Sequence, residues 1–126
     1  MDEQLKNINT LPVPIQGGYR LIPYKQLLYL KAEGNYTKLH FVEENKLRVE
    51  LASKNLNYFE KALENGTFLR IHDSTVVNLT KVIKYFREGK EGRVELYNGQ
   101  SLVVSRTRKD ELLTLFGIKK ETQSTE

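Results

Sequence analysis

Three cations follow a short apolar run near the end of the chain, in the segment Val103-Val104-Ser105-Arg106-Thr107-Arg108-Lys109. We expect a strand here that leads directly into the first turn of a helix. A helix N-terminus already carries partial positive charge, so Arg108 and Lys109 would each cost roughly a few tenths of a kcal/mol unless an anion lies near them. Backbone N–H groups can bind a phosphate there while an arginine donates to a guanine edge. In the alternative interpretation, Asp110 and Glu111 neutralise the helix start.

A second segment, Glu33-Gly34-Asn35-Tyr36-Thr37-Lys38, places polar side chains beside a chain reversal. Gly and Asn permit a tight turn, and Tyr, Thr and Lys at its exit could reach phosphates or base edges. An ordinary loop that enters an alternating strand explains the same residues, so the segment is weak evidence when it is taken alone.

A third segment alternates polar with apolar residues, from Phe68 through Arg70, His72 and Ser74 to Asn78. We expect Arg70 and Asn78 to hydrogen-bond to backbone groups, as polar residues usually do in irregular stretches. His72 and Ser74 could instead face a phosphate. A structural histidine near a chain reversal is the simpler interpretation of His72.

The sequence contains no recognisable catalytic constellation. His72-Asp73-Ser74 has the residue types of a hydrolase triad, but three consecutive residues cannot converge on one reacting atom. The other histidine, His40, is expected to be a solvated strand residue. Glycine loops for phosphates, nucleophile elbows and zinc-protease motifs are absent from the sequence, which also has no cysteine. We therefore expect no enzyme activity, no metal site, no cofactor and no small-molecule substrate.

Charge adds a modest preference for polyanionic partners. The 126 residues carry a net charge of +4, and from Lys81 to Lys109 eight Lys and Arg residues occur with three Glu. A local positive field attracts nucleic acids, although lysines and arginines also protect the edges of sheets. The sequence has no apolar run long enough to span a membrane and no targeting segment, so a cytoplasmic protein is expected.

The elements that must position these residues are mainly strands. Residues 11–15 contain two prolines and are expected at a sheet edge. Further strands are predicted at residues 19–22, 27–31, 36–42, 47–51, 82–86, 93–97 and 101–104. The continuous apolar run at 27–31 suits a strand buried on both faces, whereas 47–51 alternates with period two. Asn98-Gly99 predicts a type I′ hairpin turn.

Two short helices complete the prediction. Ser53 is expected to cap the first, which Asn65-Gly66 would end, and Thr107 or Ser105 is expected to cap the second. Their apolar faces comprise Leu56, Phe59 and Leu63 in the first helix and Leu112, Leu113 and Phe116 in the second, which Gly117 ends. The chain divides into a flexible arm at 1–10, one domain at 11–118 and a disordered tail at 119–126. Pattern alone predicts a mainly β fold and leaves a sandwich and an open barrel as alternatives.

Four motifs in order give the sequence a family resemblance. The segment from Phe68 to Asn78 matches the pattern Phe-x-Arg-x-His-x-Ser-x-x-Val-Asn at every defined position. It resembles the signature of the LytTR family of bacterial DNA-binding domains. Ala32-Glu33-Gly34-Asn35-Tyr36 is similar to the first loop of that family, and Asn98-Gly99 and Val104-Ser105-Arg106 follow in the expected order. The resemblance covers about residues 19–116.

The resemblance implies an elongated stack of antiparallel sheets with one or two short helices. It also implies sequence-specific binding of double-stranded DNA by loops in successive major grooves, usually at direct repeats in promoters, where a second copy could bind. The family usually joins this domain to a receiver of a two-component system or to a membrane module. The DNA-binding residues implied by position are Asn35, Tyr36, Thr37, Lys38, His72, Asp73, Ser74, Arg106, Thr107 and Arg108, and the charge argument adds Lys109.

One position departs from the family pattern. Asp73 stands where members often carry a basic residue or asparagine. A carboxylate repels phosphate, so we expect Asp73 either to accept a hydrogen bond from a cytosine amino group or to turn away from the DNA. The rival function is a β-rich protein-interaction module with a basic surface.

Overall fold

The computed structural model describes residues 9–64 and 66–119, and strands account for most of its regular structure. The strands are β1 (Thr10–Ile15), β2 (Gly18–Pro23), β3 (Leu27–Glu33), β4 (Tyr36–Glu43), β5 (Lys46–Ala52), β6 (Phe68–His72), β7 (Thr75–Asn78), β8 (Val82–Glu88), β9 (Glu91–Leu96) and β10 (Ser101–Val104). The helices are α1 (Leu56–Ala62) and α2 (Lys109–Leu115). Residues 1–8 of the predicted arm and 120–126 of the predicted tail lie outside the described residues.

Three antiparallel sheets form a stack. The central sheet has the order β5-β4-β3-β7-β6, and it lies beside a β1-β2 hairpin and a three-stranded sheet of order β10-β9-β8. The hairpin and α1 pack on one face of the central sheet, and the three-stranded sheet and α2 pack on the other. The predicted mainly β class with antiparallel sheets and short helices is confirmed.

Strand β3 lies between the two cores. Leu27 and Leu30 belong to the core on the hairpin side, and Leu28 and Tyr29 belong to the core under the three-stranded sheet. All four side chains are buried. The prediction that this apolar run is buried on both faces is therefore confirmed.

Strand β5 is the edge of the central sheet, and its apolar side chains are not buried. Leu47, Val49 and Leu51 are 54%, 55% and 52% exposed. They alternate with period two as predicted, but the strands of the central sheet that contribute buried residues to the second core are β3, β6 and β7, and β5 contributes none. The three-stranded sheet therefore leaves this edge of the central sheet uncovered.

The helix ends differ from the predicted caps. Asn55, rather than Ser53, caps α1, because its Oδ1 accepts a hydrogen bond of 3.0 Å from the backbone N–H of Tyr58. Gly66 does not adopt the left-handed conformation expected of a helix stop, and Asn65 lies outside the described residues. The prediction for the first helix was therefore right in its apolar face and wrong in its N-terminal cap.

Helix α2 begins without a side-chain cap. Arg108 occupies the capping position, and its backbone N–H donates to the carbonyl of Ser105. The prediction that Ser105 or Thr107 caps the helix was wrong. Gly117 has a φ of +76° and ends the helix as predicted.

The hairpin between β9 and β10 has a longer turn than predicted. Residues 97–100 connect the strands, and only Gly99 has a positive φ, at +94°. The N–H of Leu96 donates to the carbonyl of Gln100, and Asn98 Oδ1 accepts from the N–H of Gln100. A type I′ turn needs positive φ at both central residues, so that prediction was wrong although the hairpin itself is present.

Asn78 ties the end of β7 to the start of β3. Its buried side chain donates to the carbonyls of Tyr24 and Leu27 at 3.1 and 2.9 Å. Its Oδ1 accepts from Thr67 Oγ1 and from the N–H and Oγ1 of Thr80. The expectation that Asn78 satisfies backbone groups is confirmed.

The described chain enters and leaves the domain near this junction. The carbonyl of Asn9 accepts from the N–H of Tyr24, next to the contact between Tyr24 and Asn78. Ile118 lines a groove with Val82 and Ile83, at the start of β8. Residues 9 and 118 therefore both lie toward the end of the stack where β3 begins and β7 ends.

Candidate nucleic-acid interface

The three predicted segments meet at the opposite end of the stack. The N–H of Ala32, beside the β3-β4 turn, donates to the carbonyl of Ser74 at 2.8 Å. The N–H of Ser105, after β10, donates to the carbonyl of Ile71 at 2.8 Å. These two hydrogen bonds join the connections into one continuous surface, here called the loop row, which comprises residues 33–36, 72–74 and 105–109.

The first connection of the loop row is a two-residue turn. Glu33 pairs with Tyr36, which leaves Gly34 and Asn35 as the central residues. Gly34 has a φ of +61° and Asn35 does not have a positive φ, as a type II′ turn requires. Asn35 and Tyr36 are exposed, so the turn presents one amide and one phenol side chain to solvent.

Thr37 does not belong to this surface. Its side chain is 0% exposed, and its Oγ1 donates to the carbonyl of Lys54 at 2.8 Å. Successive strand residues point to opposite faces, so Thr37 faces the hairpin-side core while Lys38 faces the other side. The inclusion of Thr37 among the DNA-contacting side chains is corrected on this ground.

The second connection determines which ring nitrogen of its histidine accepts a hydrogen bond. The backbone N–H of Ser74 donates to Nδ1 of His72 at 3.1 Å, and Ser74 Oγ lies 3.0 Å from the same nitrogen. A nitrogen that accepts an N–H bond carries no proton, so Nε2 is the protonated position of the neutral ring. His72 and Ser74 are half-buried, and Asp73 is exposed between them.

The third connection supplies most of the positive charge. Arg106 and Thr107 are exposed, and Arg108 and Lys109 are half-buried. Within residues 9–64 and 66–119, none of the three cations forms an ion pair with a carboxylate. The connection therefore presents three cations beside the start of α2, whose first turn also carries Asp110 and Glu111.

Lys31 adds a further positive charge beside the loop row, and it was not among the predicted site residues. It pairs directly with Lys38 across β3 and β4 and is exposed. Lys38 lies 3.8 Å from Glu33, its closest carboxylate partner. The signal was available, because a two-residue turn at Gly34-Asn35 fixes the strand register and places residue 31 opposite residue 38. Like charges opposite each other destabilise a sheet unless an anion is near.

His40 lies two residues after Lys38 on β4 and faces the same side of the sheet. Its ring stacks on that of Tyr29, its partner on β3, at a centroid distance of 4.2 Å. It is half-buried, so the prediction of a solvated side chain was wrong in part. Burial, and then the charges of Lys38 and Lys31, lower the pKa of His40 below its ordinary value of 6.5. The neutral ring is therefore the form that the fold favours.

The free energy of unfolding is expected to fall as the pH drops below about 6.5, because the unfolded chain binds a proton at His40 more readily than the folded chain does. The contribution of neutral His40 is complete above pH 6.5 and is lost as the pH falls through the lower pKa of the folded state. Urea unfolding between about pH 8 and pH 5 measures this loss. The variant His40→Gln should lose less stability over the same range, and an equal loss would assign the effect to other groups.

The described residues form neither a membrane-spanning helix nor a cluster of metal ligands. None of the helices among residues 9–64 and 66–119 has the length and hydropathy to span a membrane. No group of three His, Asp or Glu side chains in that part of the chain is arranged to hold a metal ion.

Comparison with known proteins identifies the family. A solved structure described as the LytTr DNA-binding domain of a methyl-accepting/DNA response regulator from Bacillus cereus has the same fold, with a TM-score of 0.72 and 22% identity. The match covers 87% of this chain and 98% of that one. No curated protein has a sequence that matches this chain significantly. The family model of the LytTr DNA-binding domain matches residues 17–117, and the chain therefore belongs to the LytTr DNA-binding domain family.

Proposed function

We propose that this protein binds double-stranded DNA sequence-specifically and acts as a bacterial transcriptional regulator in the cytoplasm. The loop row would enter successive major grooves on one face of the duplex. The observation that carries the proposal is the continuous row of three connections at one end of the stack, with exposed polar side chains and three cations. The description of the similar solved structure as part of a response regulator supports the regulatory role.

Three side chains of the loop row suit base recognition. Arg106 is exposed and can donate two hydrogen bonds to a guanine, and Asn35 can pair with an adenine edge. Asp73 lies between them at the tip of the second connection, where its carboxylate can accept from a cytosine amino group.

The remaining side chains suit phosphate contacts, which supply affinity without sequence information. His72 would donate to a phosphate from Nε2, because its Nδ1 already accepts a hydrogen bond from the backbone N–H of Ser74. The proposed phosphate contacts are Tyr36, His72, Ser74, Thr107, Arg108 and Lys109 of the loop row, with Lys31 and Lys38 beside it.

Selection from a random duplex library, followed by binding measurements across a salt series, tests the proposal. We expect a recovered motif, which two copies would recognise as direct repeats about one helical turn apart. If about five phosphates are neutralised, log K falls against log salt with a slope near −4.5. A steep slope without a motif would contradict base recognition, and an absence of binding at low salt would contradict the proposal as a whole.

The exposed apolar residues of β5 favour a protein-interaction module as the second candidate. Leu47, Val49 and Leu51 form a strip that the domain itself does not cover. Retention on heparin and on a cation exchanger of equal charge separates the candidates, since only a DNA-binding surface should prefer the regularly spaced polyanion. Equal retention on the two columns would support the second candidate.

A further inference from the structure

We propose that Arg70 is a positioning residue that fixes the His72–Ser74 connection in its DNA-binding shape without touching DNA itself. The inference rests on the proposed function for its consequence, since the connection matters only if it contacts DNA. The geometry of the turn and the contacts of the Arg70 guanidinium group support the claim that Arg70 fixes the connection.

The connection between β6 and β7 is short and has an unusual backbone. His72 pairs with Thr75, so Asp73 and Ser74 are the two central residues of the hairpin. Neither has a positive φ. The turn is therefore neither type I′ nor type II′, the two types whose twist matches that of the flanking strands. Its shape needs support from outside the hairpin backbone.

A break in the strand pairing lies immediately before this turn. The register shifts between Arg70 and His72, which leaves Ile71 without a partner on β7. The carbonyl of Ile71 accepts from the N–H of Ser105 instead. Regular ladder hydrogen bonds thus stop before the turn begins, as they do at a β-bulge.

Arg70 supplies the missing support. Its Nε donates to the carbonyl of His72 at 3.1 Å, and its Nη2 donates to the carbonyl of Asp73. These are two consecutive carbonyls of the turn, so one planar group fixes the peptide units on both sides of Asp73. The Arg70 side chain is only 13% exposed, which makes it a poor phosphate contact and a good internal clamp.

Helix α1 holds the guanidinium from the other side. Nη1 of Arg70 donates to Asn57 Oδ1 at 2.7 Å and to Glu60 Oε1 at 2.8 Å. The three nitrogens therefore all have partners, and the group is fixed between the helix and the turn. A lysine presents a single compact ammonium and cannot reproduce this planar arrangement. Arg70→Lys keeps the charge and removes the clamp.

The test combines a readout on the free protein with a readout on DNA. Hydrogen exchange at the Ser74 amide reports whether the N–H to His72 Nδ1 bond persists. In Arg70→Lys we expect faster exchange at Ser74 and roughly tenfold weaker binding to the selected DNA site, about the effect of losing one hydrogen bond to a charged group. The slope of log K against log salt should stay unchanged, because Arg70 contacts no phosphate in this scheme.

Arg20→Lys is the matched control. Arg20 Nη2 contacts both carboxylate oxygens of Glu43 at 3.1 and 3.2 Å, at the end of the stack opposite the loop row. This variant should leave both Ser74 exchange and DNA affinity unchanged. Thermal unfolding of both variants verifies that each remains folded.

Unchanged Ser74 exchange in folded Arg70→Lys would overturn the positioning role. A reduced salt slope would also overturn it, because that result assigns Arg70 to a phosphate. If the unmodified protein selects no DNA motif, the proposed function fails, while Ser74 exchange in the free protein still decides whether Arg70 fixes the turn.

Discussion

Replacing Asn78 with alanine is expected to lower the free energy of unfolding by about 3–5 kcal/mol. The substitution removes both donors to the carbonyls of Tyr24 and Leu27 and the acceptor for three donors of Thr67 and Thr80. Each buried polar group left without a partner costs about 1–3 kcal/mol. Urea denaturation followed by circular dichroism measures the change.

Asn55→Ala provides the scale for this result. Asn55 makes one exposed capping hydrogen bond, to the N–H of Tyr58, so its loss should cost about 1 kcal/mol. An Asn78→Ala variant no less stable than Asn55→Ala would mean that water replaces the lost partners, and that Asn78 does not hold β7 against β3.

Replacing Arg106 with alanine is expected to weaken binding to the selected DNA site by about 1–3 kcal/mol, or roughly tenfold to more than a hundredfold. Arg106 is exposed, lies at the end of β10 and forms no ion pair among the described residues, so the folded protein should not need it. A bidentate guanine contact would also make the loss specific to one base pair, which titration of single-base variants of the site detects.

Lys46→Ala is the control for net charge. Lys46 is exposed in the β4-β5 hairpin, at the end of the stack away from the loop row. Its replacement by alanine removes one positive charge from a residue for which no DNA contact is proposed. Its affinity should remain close to that of the unmodified protein. If Arg106→Ala and Lys46→Ala weaken binding equally, Arg106 acts through the general field of the protein and reads no base.

Local pattern was sufficient for eight of the ten strands and for both helices, but β6 and β7 were missed because their interleaved polar residues are typical of an irregular stretch. The apolar run that became β3 could be recognised because burial on both faces leaves no polar alternation. The Gly34-Asn35 turn fixes the β3-β4 register, so the opposition of Lys31 and Lys38, which was missed, could have been inferred without any tertiary information. Two segments of the loop row could be identified because their polar residues stand at predicted strand ends, and the family resemblance implied all three.

The predictions that were wrong concern residues whose surroundings are set by parts of the chain distant in the sequence. Leu47, Val49 and Leu51 have the alternation of a half-buried strand, but the three-stranded sheet does not reach β5. Thr37 stands in a polar segment, but strand alternation turns it toward the core and Lys54. The capping residue of α1 was misplaced by two positions, because Ser53 and Asn55 are equally suitable until packing fixes where the helix begins.

The position of residues 9 and 118, both away from the loop row, has a practical consequence. A biosensor surface, an affinity bead or a fluorescent reporter attached at residue 9 or at residue 118 would stand behind the domain rather than across the loop row. Tethered protein should therefore capture duplex as well as free protein does. The same geometry allows residues 9–118 to be joined to an unrelated partner at either end with the loop row facing outward.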